Sequence, residues 1–273
     1  MTAGYELKES QYRKIGSVVY ETARINLMDG KKDLVQSRLS KRIRLLGLAG
    51  FNEYLELIEK DGDEFTAMVN SLCTNTTTFF REQNHFDFLK DQFFAELQER
   101  NAHRIRIWSA GCSTGEEPFS IAMHFREHYP GLEKKDCLIL ATDISTKVLE
   151  KAREGAYPTD RLSGAPGHIL RKYFNVESGD SGAVYTVKPE LKSLVKFRRL
   201  NLFEKWPMTG GFDVIFCRNV MIYFDRETQQ ELIDRFHGAL RPGGCLVIGH
   251  SESLIGVKHN FRFVKPTIYR REY

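Results

Sequence analysis

The first 73 residues carry apolar side chains at helical spacing. Phe65, Met68, Val69 and Leu72 recur at positions i, i+3, i+4 and i+7, which is one face of an α-helix. Earlier stripes of the same kind are Tyr12, Ile15, Val19 and Ala23; Val35, Leu39, Ile43 and Leu46; and Tyr54, Leu55 and Ile58. The pattern predicts a small all-helical domain over residues 1–73.

Beyond residue 100 the pattern changes to short apolar runs of strand length, separated by helical stretches. The strand-like runs are Ile105–Trp108, Cys137–Thr142, Val195–Leu200, Phe212–Cys217 and Cys245–Gly249, and the helical stretches include Glu117–Tyr129, Ser145–Glu154 and Thr228–Leu240. Such alternation predicts a mostly parallel sheet covered by helices, a Rossmann-like α/β fold. Two extended segments, Phe261–Lys265 and Thr267–Arg271, predict a closing hairpin with an antiparallel strand.

One stretch interrupts this alternation. Residues 157–194 are rich in turns, and they contain Ser178-Gly179-Asp180-Ser181-Gly182 followed by the strand-like Ala183–Val187. This composition predicts a small antiparallel β-subdomain inserted into the α/β domain. We therefore divide the chain into a helical domain at 1–73, a linker at 74–90 and an α/β domain at 91–273.

The composition is that of an ordinary soluble protein. Hydrophobic residues make up 41% and charged residues 28% of the 273 positions, and no run approaches the ~20 apolar residues of a membrane span. The N-terminus lacks the apolar core of a signal peptide. The five cysteines lie far apart, mostly in apolar runs, which indicates reduced thiols. We therefore expect a cytoplasmic protein without direct membrane insertion.

The sequence indicates neither a metal site nor a nucleic-acid-binding surface. His124 and His128 lie one helical turn apart, but no third ligand is near them in the sequence, and no cysteine pair has metal-ligand spacing. The net charge of +4 is too small for a dedicated nucleic-acid binder. Basic residues nevertheless cluster, since Arg38, Lys41 and Arg44 share one face of the second predicted helix. That face is either an ordinary solvated surface or a docking surface for an acidic partner.

The loop after the first strand, Ser109–Pro118, is rich in small residues such as Gly111, which allow a ligand close to the backbone. Three kinds of nucleotide site compete for this pattern. A P-loop needs Lys-Ser or Lys-Thr after its last glycine, where this chain has Glu116-Glu117. A dinucleotide site needs a third glycine, and the two carboxylates would repel its phosphates. The third interpretation is a nucleoside without phosphates and with a positive charge, which acidic residues would attract.

S-adenosylmethionine is such a nucleoside, since it carries a sulfonium, an amino group, a ribose and an adenine. The second predicted strand ends in Asp143, which is well placed to accept hydrogen bonds from both ribose hydroxyls. The alternative role of Asp143 is to cap the helix that starts near Ser145. The glycine loop and the acid together favour S-adenosylmethionine as the cofactor.

Polar residues also follow the predicted strand Phe212–Cys217, since Arg218 and Asn219 come directly after this apolar run. A cation and an amide at the end of a buried strand are costly unless polar groups meet them. Ligands of open α/β sheets bind at this edge, the carboxyl end of the strands. The other interpretation is a capped strand end with a surface arginine.

Six segments form one recognisable pattern: Asn75–Glu82, Gly111–Pro118, Ala141–Ile144, Phe216–Asp225, Leu240–Gly244 and Gly249–Glu252. Together they resemble the bacterial chemotaxis receptor methyltransferases, the CheR family, in the expected order along nearly the whole chain. The resemblance implies a class I S-adenosylmethionine-dependent methyltransferase fold, preceded by the helical domain and carrying the inserted β-subdomain.

The resemblance also implies an activity and a partner. The family transfers a methyl group from S-adenosylmethionine to glutamate side chains of chemoreceptors, giving γ-methyl esters and S-adenosylhomocysteine, without a metal. The implied partner is the glutamate-rich cytoplasmic helical region of a receptor, which Arg38, Lys41 and Arg44 would complement. A receptor C-terminal tail is a further implied partner of the β-subdomain, and we expect the enzyme to be a monomer.

Residue by residue, the resemblance implies a cofactor site to which the linker contributes. Its expected members are Asn75, Thr77, Arg81, Gly111, Glu117, Asp143, Asn201, Leu202, Arg218 and Asn219. Glu117 is expected at the charged amino-acid end of the cofactor and Asp143 at the ribose. Asn201 and Leu202 are expected beside the adenine.

The remaining implied roles concern the methionine side and the acceptor. Arg218 and Asn219 are expected to line the methionine side of the cofactor. Arg81 and Tyr223 are the expected catalytic residues. Arg81 would orient the cofactor or acceptor carboxylate and match its charge, and the Tyr223 hydroxyl would hold the non-attacking oxygen of the acceptor.

Other functions remain as alternatives. The best rival is a class I methyltransferase acting on a small molecule or nucleic acid, although the basic helices lack the aromatic residues typical of RNA binding. An NAD-linked oxidoreductase is less favoured because the third glycine is missing. A catalytically silent receptor adaptor would have no use for the complete set Asn75, Arg81, Asp143, Asn219 and Tyr223.

Overall fold

The computed structural model describes residues 5–27, 30–72, 76–179, 182–209 and 211–272. The chain divides into two compact units. One comprises Met1–Thr74 with Tyr223–Thr228, and the other comprises Asn75–Ile222 with Gln229–Tyr273. Asn75, Asp180 and Ser181, which were named above, lie outside the described residues, as does Cys73, one of the five cysteines.

The smaller unit is helical, as predicted. Its helices are α1 (Glu9–Ala23), α2 (Lys32–Leu45), α3 (Phe51–Lys60) and α4 (Gly62–Leu72). The stripes form one core, in which Ile15, Val35, Tyr54 and Met68 are fully buried. Leu46 of the second predicted stripe is the exception, since α2 ends at Leu45 and Leu46 is 38% exposed. Helices this short are marginal alone, so this shared apolar core is what stabilises them.

The segment Tyr223–Thr228 belongs to the helical unit, although it lies far along the chain. The backbone N–H of Asn26 donates to the carbonyl of Tyr223 at 2.8 Å. The hydroxyl of Tyr20 donates to the Asp225 carboxylate at 2.6 Å. These bonds join residues about 200 positions apart, a pairing that local sequence patterns do not encode.

The larger unit contains the predicted parallel sheet. Its strands are β1 (Arg104–Ala110), β2 (Asp136–Asp143), β6 (Val195–Arg199), β7 (Phe212–Cys217), β8 (Leu240–Ile248), β9 (Phe261–Lys265) and β10 (Ile268–Arg271). They are ordered β6-β2-β1-β7-β8-β10-β9. Strands β6 to β8 in this order pair in parallel, and β10 pairs antiparallel with both β8 and β9. The predicted class I fold with an antiparallel closing strand is confirmed.

Helices surround this sheet. They are α5 (Gln83–Phe88), α6 (Phe94–Glu99), α7 (Glu116–His128), α8 (Thr146–Glu154), α9 (Gly167–Tyr173), α10 (Pro189–Lys192) and α11 (Arg226–Ala239). A π-helical turn, Leu89–Phe93, joins α5 to α6, so a helix begins inside the predicted linker at 74–90. The cysteines in the described parts of the chain, Cys112, Cys137, Cys217 and Cys245, are buried free thiols, as predicted.

The predicted insertion contains a second, antiparallel sheet. Strands β3 (Ala156–Pro158), β4 (Phe174–Gly179) and β5 (Gly182–Val187) are ordered β3-β5-β4. Helices α9 and α10 also lie within residues 157–194, so the insertion is more helical than its turn-rich sequence suggested.

The strand order brings three polar loops to one edge. Strand β1 lies between β2 and β7, and all three run in parallel, so their carboxyl ends meet at the same edge. The chain order of the strands reverses at β1, which is where open α/β sheets form their ligand crevice. No helix in the described ranges is long and apolar enough to span a membrane.

Candidate active site

The loop after β1 is folded back onto the end of β2. The backbone N–H groups of Gly111 and Cys112 both donate to the carbonyl of Thr142 at 2.8 Å. Gly111 has a φ of +86°, and a Cβ there would overlap Cγ2 of Val220. The glycine is therefore required by the protein's own packing between the β1 and β7 loops, whether or not a ligand approaches the backbone.

Asp143 lies at the end of β2 and organises this loop. One carboxylate oxygen accepts from the N–H of Ser113 and the other from the N–H of Ser145, both at 2.9 Å. Burial raises the pKa of Asp143, and these N–H donors oppose that rise because they favour the charged form. Helix α8 is capped by Ser145, whose hydroxyl accepts from the N–H of Val148, so Asp143 does not have the capping role.

The two carboxylates at the start of α7 are both paired within the protein. Glu117 accepts from the Ser109 hydroxyl at 2.6 Å and from Nε of Arg218 at 2.7 Å. Glu116 is fully buried and forms an ion pair with Arg161 of the β-subdomain. The expectation that this loop presents free negative charge is therefore too simple, because each anion already faces a guanidinium.

Arg218 is buried and bonded on several sides. Its Nη1 donates to the carbonyl of Arg81 at 2.6 Å and lies 3.0 Å from Nδ1 of His85. The same nitrogen is 3.6 Å from a carboxylate oxygen of Glu82. The costly cation at the end of β7 is thus met by polar groups, and the alternative of a surface arginine is wrong.

Arg81 lies in a turn whose backbone is hydrogen-bonded to Arg218, through the carbonyl of Arg81. Its Nη1 donates to the carbonyl of Thr76 at 3.2 Å, and its Nε lies 3.7 Å from Glu82. The side chain is about one-third exposed, at 34%. Thr77 lies in the same irregular segment and is half-buried.

Asn219 and its neighbours are held by a residue to which sequence reasoning assigned no role. Four backbone N–H groups, those of Asn219, Val220, Met221 and Gly249, donate to the Glu252 carboxylate at 2.6–2.9 Å. Asn219 has a φ of +59°, which is unusual for a residue other than glycine. In the sequence, Glu252 stood out as an acid shortly after a buried strand and as the last residue of the segment Gly249–Glu252, but neither signal gave it a role.

The adenine candidates follow β6. The N–H of Leu200 donates to the carbonyl of Asp143 at 3.0 Å, which brings the end of β6 beside the end of β2. Asn201 and Leu202 are both buried, and the Asn201 amide oxygen accepts from the N–H of Phe203. The structure therefore brings Gly111, Glu117, Asp143, Asn201, Leu202, Arg218 and Asn219 to one edge of the sheet, near the backbone of Arg81.

Tyr223 is the residue expected on the acceptor side. It lies in a 3-10 turn, Met221–Tyr223, and the helical unit holds it. Its ring is half-buried, with Nζ of Lys31 at 5.6 Å from the ring centre.

The expected docking residues have different surroundings. Lys41 and Arg44 are exposed on α2. Arg38 is half-buried, and its guanidinium donates to the carbonyl of Leu72 at 2.6 Å, at the C-terminus of α4. Lys41 and Arg44 are thus more accessible to a partner than Arg38.

Glu82, His85 and His250 are the candidate metal ligands within the described ranges. Their potential ligand atoms lie within 4.8 Å of one another. The guanidinium of Arg218 already lies beside two of these groups, at the distances given above. A divalent cation there would be repelled by a permanent positive charge at close range.

Comparison with known proteins assigns both units. Residues 75–270 match the family model described as CheR methyltransferase, SAM binding domain. Residues 10–73 match the model described as CheR methyltransferase, all-alpha domain. The chain therefore belongs to the CheR methyltransferase family, and its larger unit is the S-adenosylmethionine-binding domain of a methyltransferase.

Curated relatives are similar over almost their whole length. The chemotaxis protein methyltransferase of Escherichia coli K12 is 42% identical over 275 residues, which cover 98% of this chain and 93% of the relative. The protein of the same name from Borreliella burgdorferi is 41% identical over 273 residues, covering 97% and 95%. Chemotaxis protein methyltransferase 2 of Pseudomonas aeruginosa is 41% identical over 267 residues, covering 97% and 94%.

Proposed function

We propose that this protein methylates glutamate side chains of chemoreceptors, using S-adenosylmethionine, and so serves sensory adaptation in chemotaxis. The observation that carries the proposal is the similarity of both units, over nearly the full chain, to chemotaxis protein methyltransferases. The products are a γ-glutamyl methyl ester and S-adenosylhomocysteine. The reaction belongs to the cytoplasm, where receptors present their methylation helices.

The polar groups at the sheet edge suit the parts of the cofactor that we assign to them. Asp143 accepts backbone N–H bonds on both carboxylate oxygens, and we assign its remaining acceptor capacity to the ribose hydroxyls. Glu117 has a similar reserve for the cofactor's ammonium group, although it shares its charge with Arg218. Asn201 and Leu202 are suited to the adenine, as an amide and an apolar wall.

The remaining proposed cofactor ligands act on the methionine portion. Arg218, Asn219 and Arg81 would surround it, and Thr77 and Asn75 would contribute from the segment before Arg81; Asn75 lies outside the described residues. The bound cofactor supplies an electrophilic methyl group, and the protein's task is to bring a carboxylate to it. The proposed site uses no metal.

The acceptor glutamate needs no general base, since its pKa of about 4.3 leaves it ionised at neutral pH. Removing its water would raise that pKa, and the half-buried Arg81 opposes the rise by its positive charge. The Tyr223 hydroxyl would donate to the oxygen that does not attack. Alignment of the reacting atoms can supply about 7–11 kcal/mol of the lowering in barrier.

Calorimetric titration and steady-state kinetics test this assignment. S-adenosylmethionine should bind the wild type, and Arg81→Ala should nearly abolish transfer to a receptor cytoplasmic fragment. Tyr223→Phe should lower kcat more than it weakens cofactor binding, because the hydroxyl acts on the acceptor. Equal losses in both would remove Tyr223 from the acceptor site, and a wild type that binds no cofactor would overturn the proposal.

Receptor docking is proposed for the exposed basic face of α2. Lys41 and Arg44 would attract the glutamates of a methylation helix, and Arg38 would contribute less because its guanidinium bonds the α4 C-terminus. A receptor C-terminal tail would bind the β-subdomain. The enzyme would act as a monomer. Lys41→Glu with Arg44→Glu should raise the KM for receptor while sparing cofactor affinity. Lys147→Glu, an exposed change on α8, is the matched control.

A methyltransferase with a small-molecule or nucleic-acid substrate is the competing function. It predicts cofactor binding by the wild type together with no transfer to any receptor fragment. A silent adaptor predicts receptor binding without cofactor binding. The same titration and transfer assays therefore separate all three.

A further inference from the structure

The turn that carries Arg81 has a strained backbone. Phe80 and Glu82, on either side of Arg81, have φ values of 52° and 62°, in the left-handed region. A residue other than glycine is strained in this region, and the conformation persists only where its surroundings impose it. The turn must therefore be held by specific contacts.

Those contacts come from three directions. The N–H of Phe80 donates to the hydroxyl of Ser120, a buried residue of α7, at 2.9 Å. The carbonyl of Arg81 accepts from Nη1 of Arg218 at 2.6 Å. The N–H of His85 donates to the carbonyl of Glu82 at 3.1 Å and closes the turn. The Arg218 guanidinium lies at the end of a long side chain, so its orientation depends on its own hydrogen-bond partners.

The His85 ring is one of those partners, and its protonation state follows from geometry. The ring is fully buried, with Nδ1 at 3.0 Å from Nη1 of Arg218. A guanidinium nitrogen can only donate, so Nδ1 must be the acceptor. Nε2 then carries the proton, and it lies 2.7 Å from the hydroxyl of Thr267. That hydroxyl donates in turn to the carbonyl of Pro266 at 2.5 Å, which leaves its oxygen free to accept.

A directed chain of hydrogen bonds therefore runs from Arg218 through His85 to the hairpin between β9 and β10. Every donor in the chain meets an acceptor only if the imidazole is neutral and protonated at Nε2. Burial, together with the charges of Arg218 and His250, lowers the pKa of His85 to about 3, which agrees with a neutral ring. The neighbouring Glu82 carboxylate, at 3.5 Å from Nδ1, does not reverse this.

We propose that His85 is a positioning residue for methyl transfer: as a neutral imidazole it fixes the Arg218 guanidinium, which holds the strained turn that presents Arg81. This role rests on the proposed function of Arg81. It assigns His85 no contact with cofactor or acceptor. Its effect on the reaction passes entirely through Arg218 and the backbone of the turn.

Two substitutions separate positioning from simple packing. His85→Asn keeps an acceptor near the Nδ1 position, whereas His85→Leu fills the space with no acceptor. We expect His85→Leu to lower kcat by about 100-fold, the effect of misplacing a reacting group by roughly 1 Å. We expect His85→Asn to recover most of the kcat, and thermal unfolding of both variants checks that they are folded. A purely structural role predicts that folded His85→Leu keeps its kcat and that only its Tm falls.

Nitrogen-15 NMR of the wild-type imidazole gives a readout that needs no substrate. The proposal predicts a neutral ring protonated at Nε2 at pH 7. An imidazolium, a ring protonated at Nδ1, or a folded His85→Leu variant with wild-type kcat would overturn it. Failure of the proposed function would look different, because the wild type itself would then bind no S-adenosylmethionine or methylate no receptor fragment.

Discussion

The most demanding structural prediction concerns Glu252, which holds the turn after β7 by four backbone hydrogen bonds. One oxygen accepts from Asn219 and Gly249, and the other accepts from Val220 and Met221. Glu252→Gln replaces one of these oxygens by an amide NH2 group. Two buried N–H groups then lose their acceptor and face a donor.

Each buried donor left unsatisfied costs about 1–3 kcal/mol, so the free energy of unfolding should fall by about 2–6 kcal/mol. For a domain of this size the corresponding loss in Tm is about 5–15 °C. The released turn also carries Arg218 and Asn219, so cofactor affinity should weaken together with stability. Burial raises the pKa of Glu252, yet the N–H donors favour the carboxylate, and it is this anion that the substitution removes.

Differential scanning calorimetry and calorimetric titration with S-adenosylmethionine measure the two effects. Glu150→Gln is the matched control, because Glu150 is exposed on α8 and its substitution should change stability by no more than about 0.5 kcal/mol. The reasoning is refuted if Glu252→Gln has the Tm and cofactor affinity of that control.

Three further predictions follow from other contacts. Burial lowers the pKa of His124 from 6.5 to about 4, so the unfolded state binds the proton first and His124 should contribute a stability loss of about 2 kcal/mol between pH 7 and 5. Buried His85 adds to this loss, because its pKa is also lowered. Urea titrations at the two pH values should therefore show a loss that His124→Leu reduces by about 2 kcal/mol, and an unchanged pH dependence in that variant would contradict the assignment. Gly111→Ala should lower the free energy of unfolding by about 2–5 kcal/mol, because the new Cβ would overlap Val220 at a residue with positive φ. Its Tm and its cofactor affinity should both fall, and adding Val220→Ala should recover only part of the loss. A Gly111→Ala variant with wild-type Tm and affinity would contradict the account. Arg161→Met should lower the free energy of unfolding by about 3–5 kcal/mol, because it leaves the Glu116 carboxylate buried without its cation. Adding Glu116→Gln should restore most of the Tm. If the effects of the two substitutions simply add, the two residues are not coupled.

Local sequence patterns were sufficient for most of the fold. The central strand β7 was found because both of its faces are buried, which makes Phe212–Cys217 apolar at every position except Asp213. The helical unit was found because Val35, Leu39 and Ile43 face a core at helical spacing. Polar residues at the ends of β2 and β7 pointed to the correct edge of the sheet.

Pairings between distant residues could not be predicted in the same way. Nothing near Glu117 indicates that Arg218, 101 positions later, would neutralise it. The attachment of Tyr223 to Asn26 and the binding of four N–H groups by Glu252 depend equally on the folded chain. Local periodicity specifies which residues are buried, but the folded geometry decides which polar groups meet.

The central claim is that the acceptor is a receptor glutamate. The most direct test incubates the full-length protein with isotopically labelled S-adenosylmethionine and a receptor cytoplasmic fragment, and then locates the label by peptide mass spectrometry. The account predicts a labelled, base-labile methyl ester on glutamate side chains, absent with Arg81→Ala. Transfer to another kind of side chain, or no transfer to receptor fragments by a wild type that binds the cofactor, would contradict it.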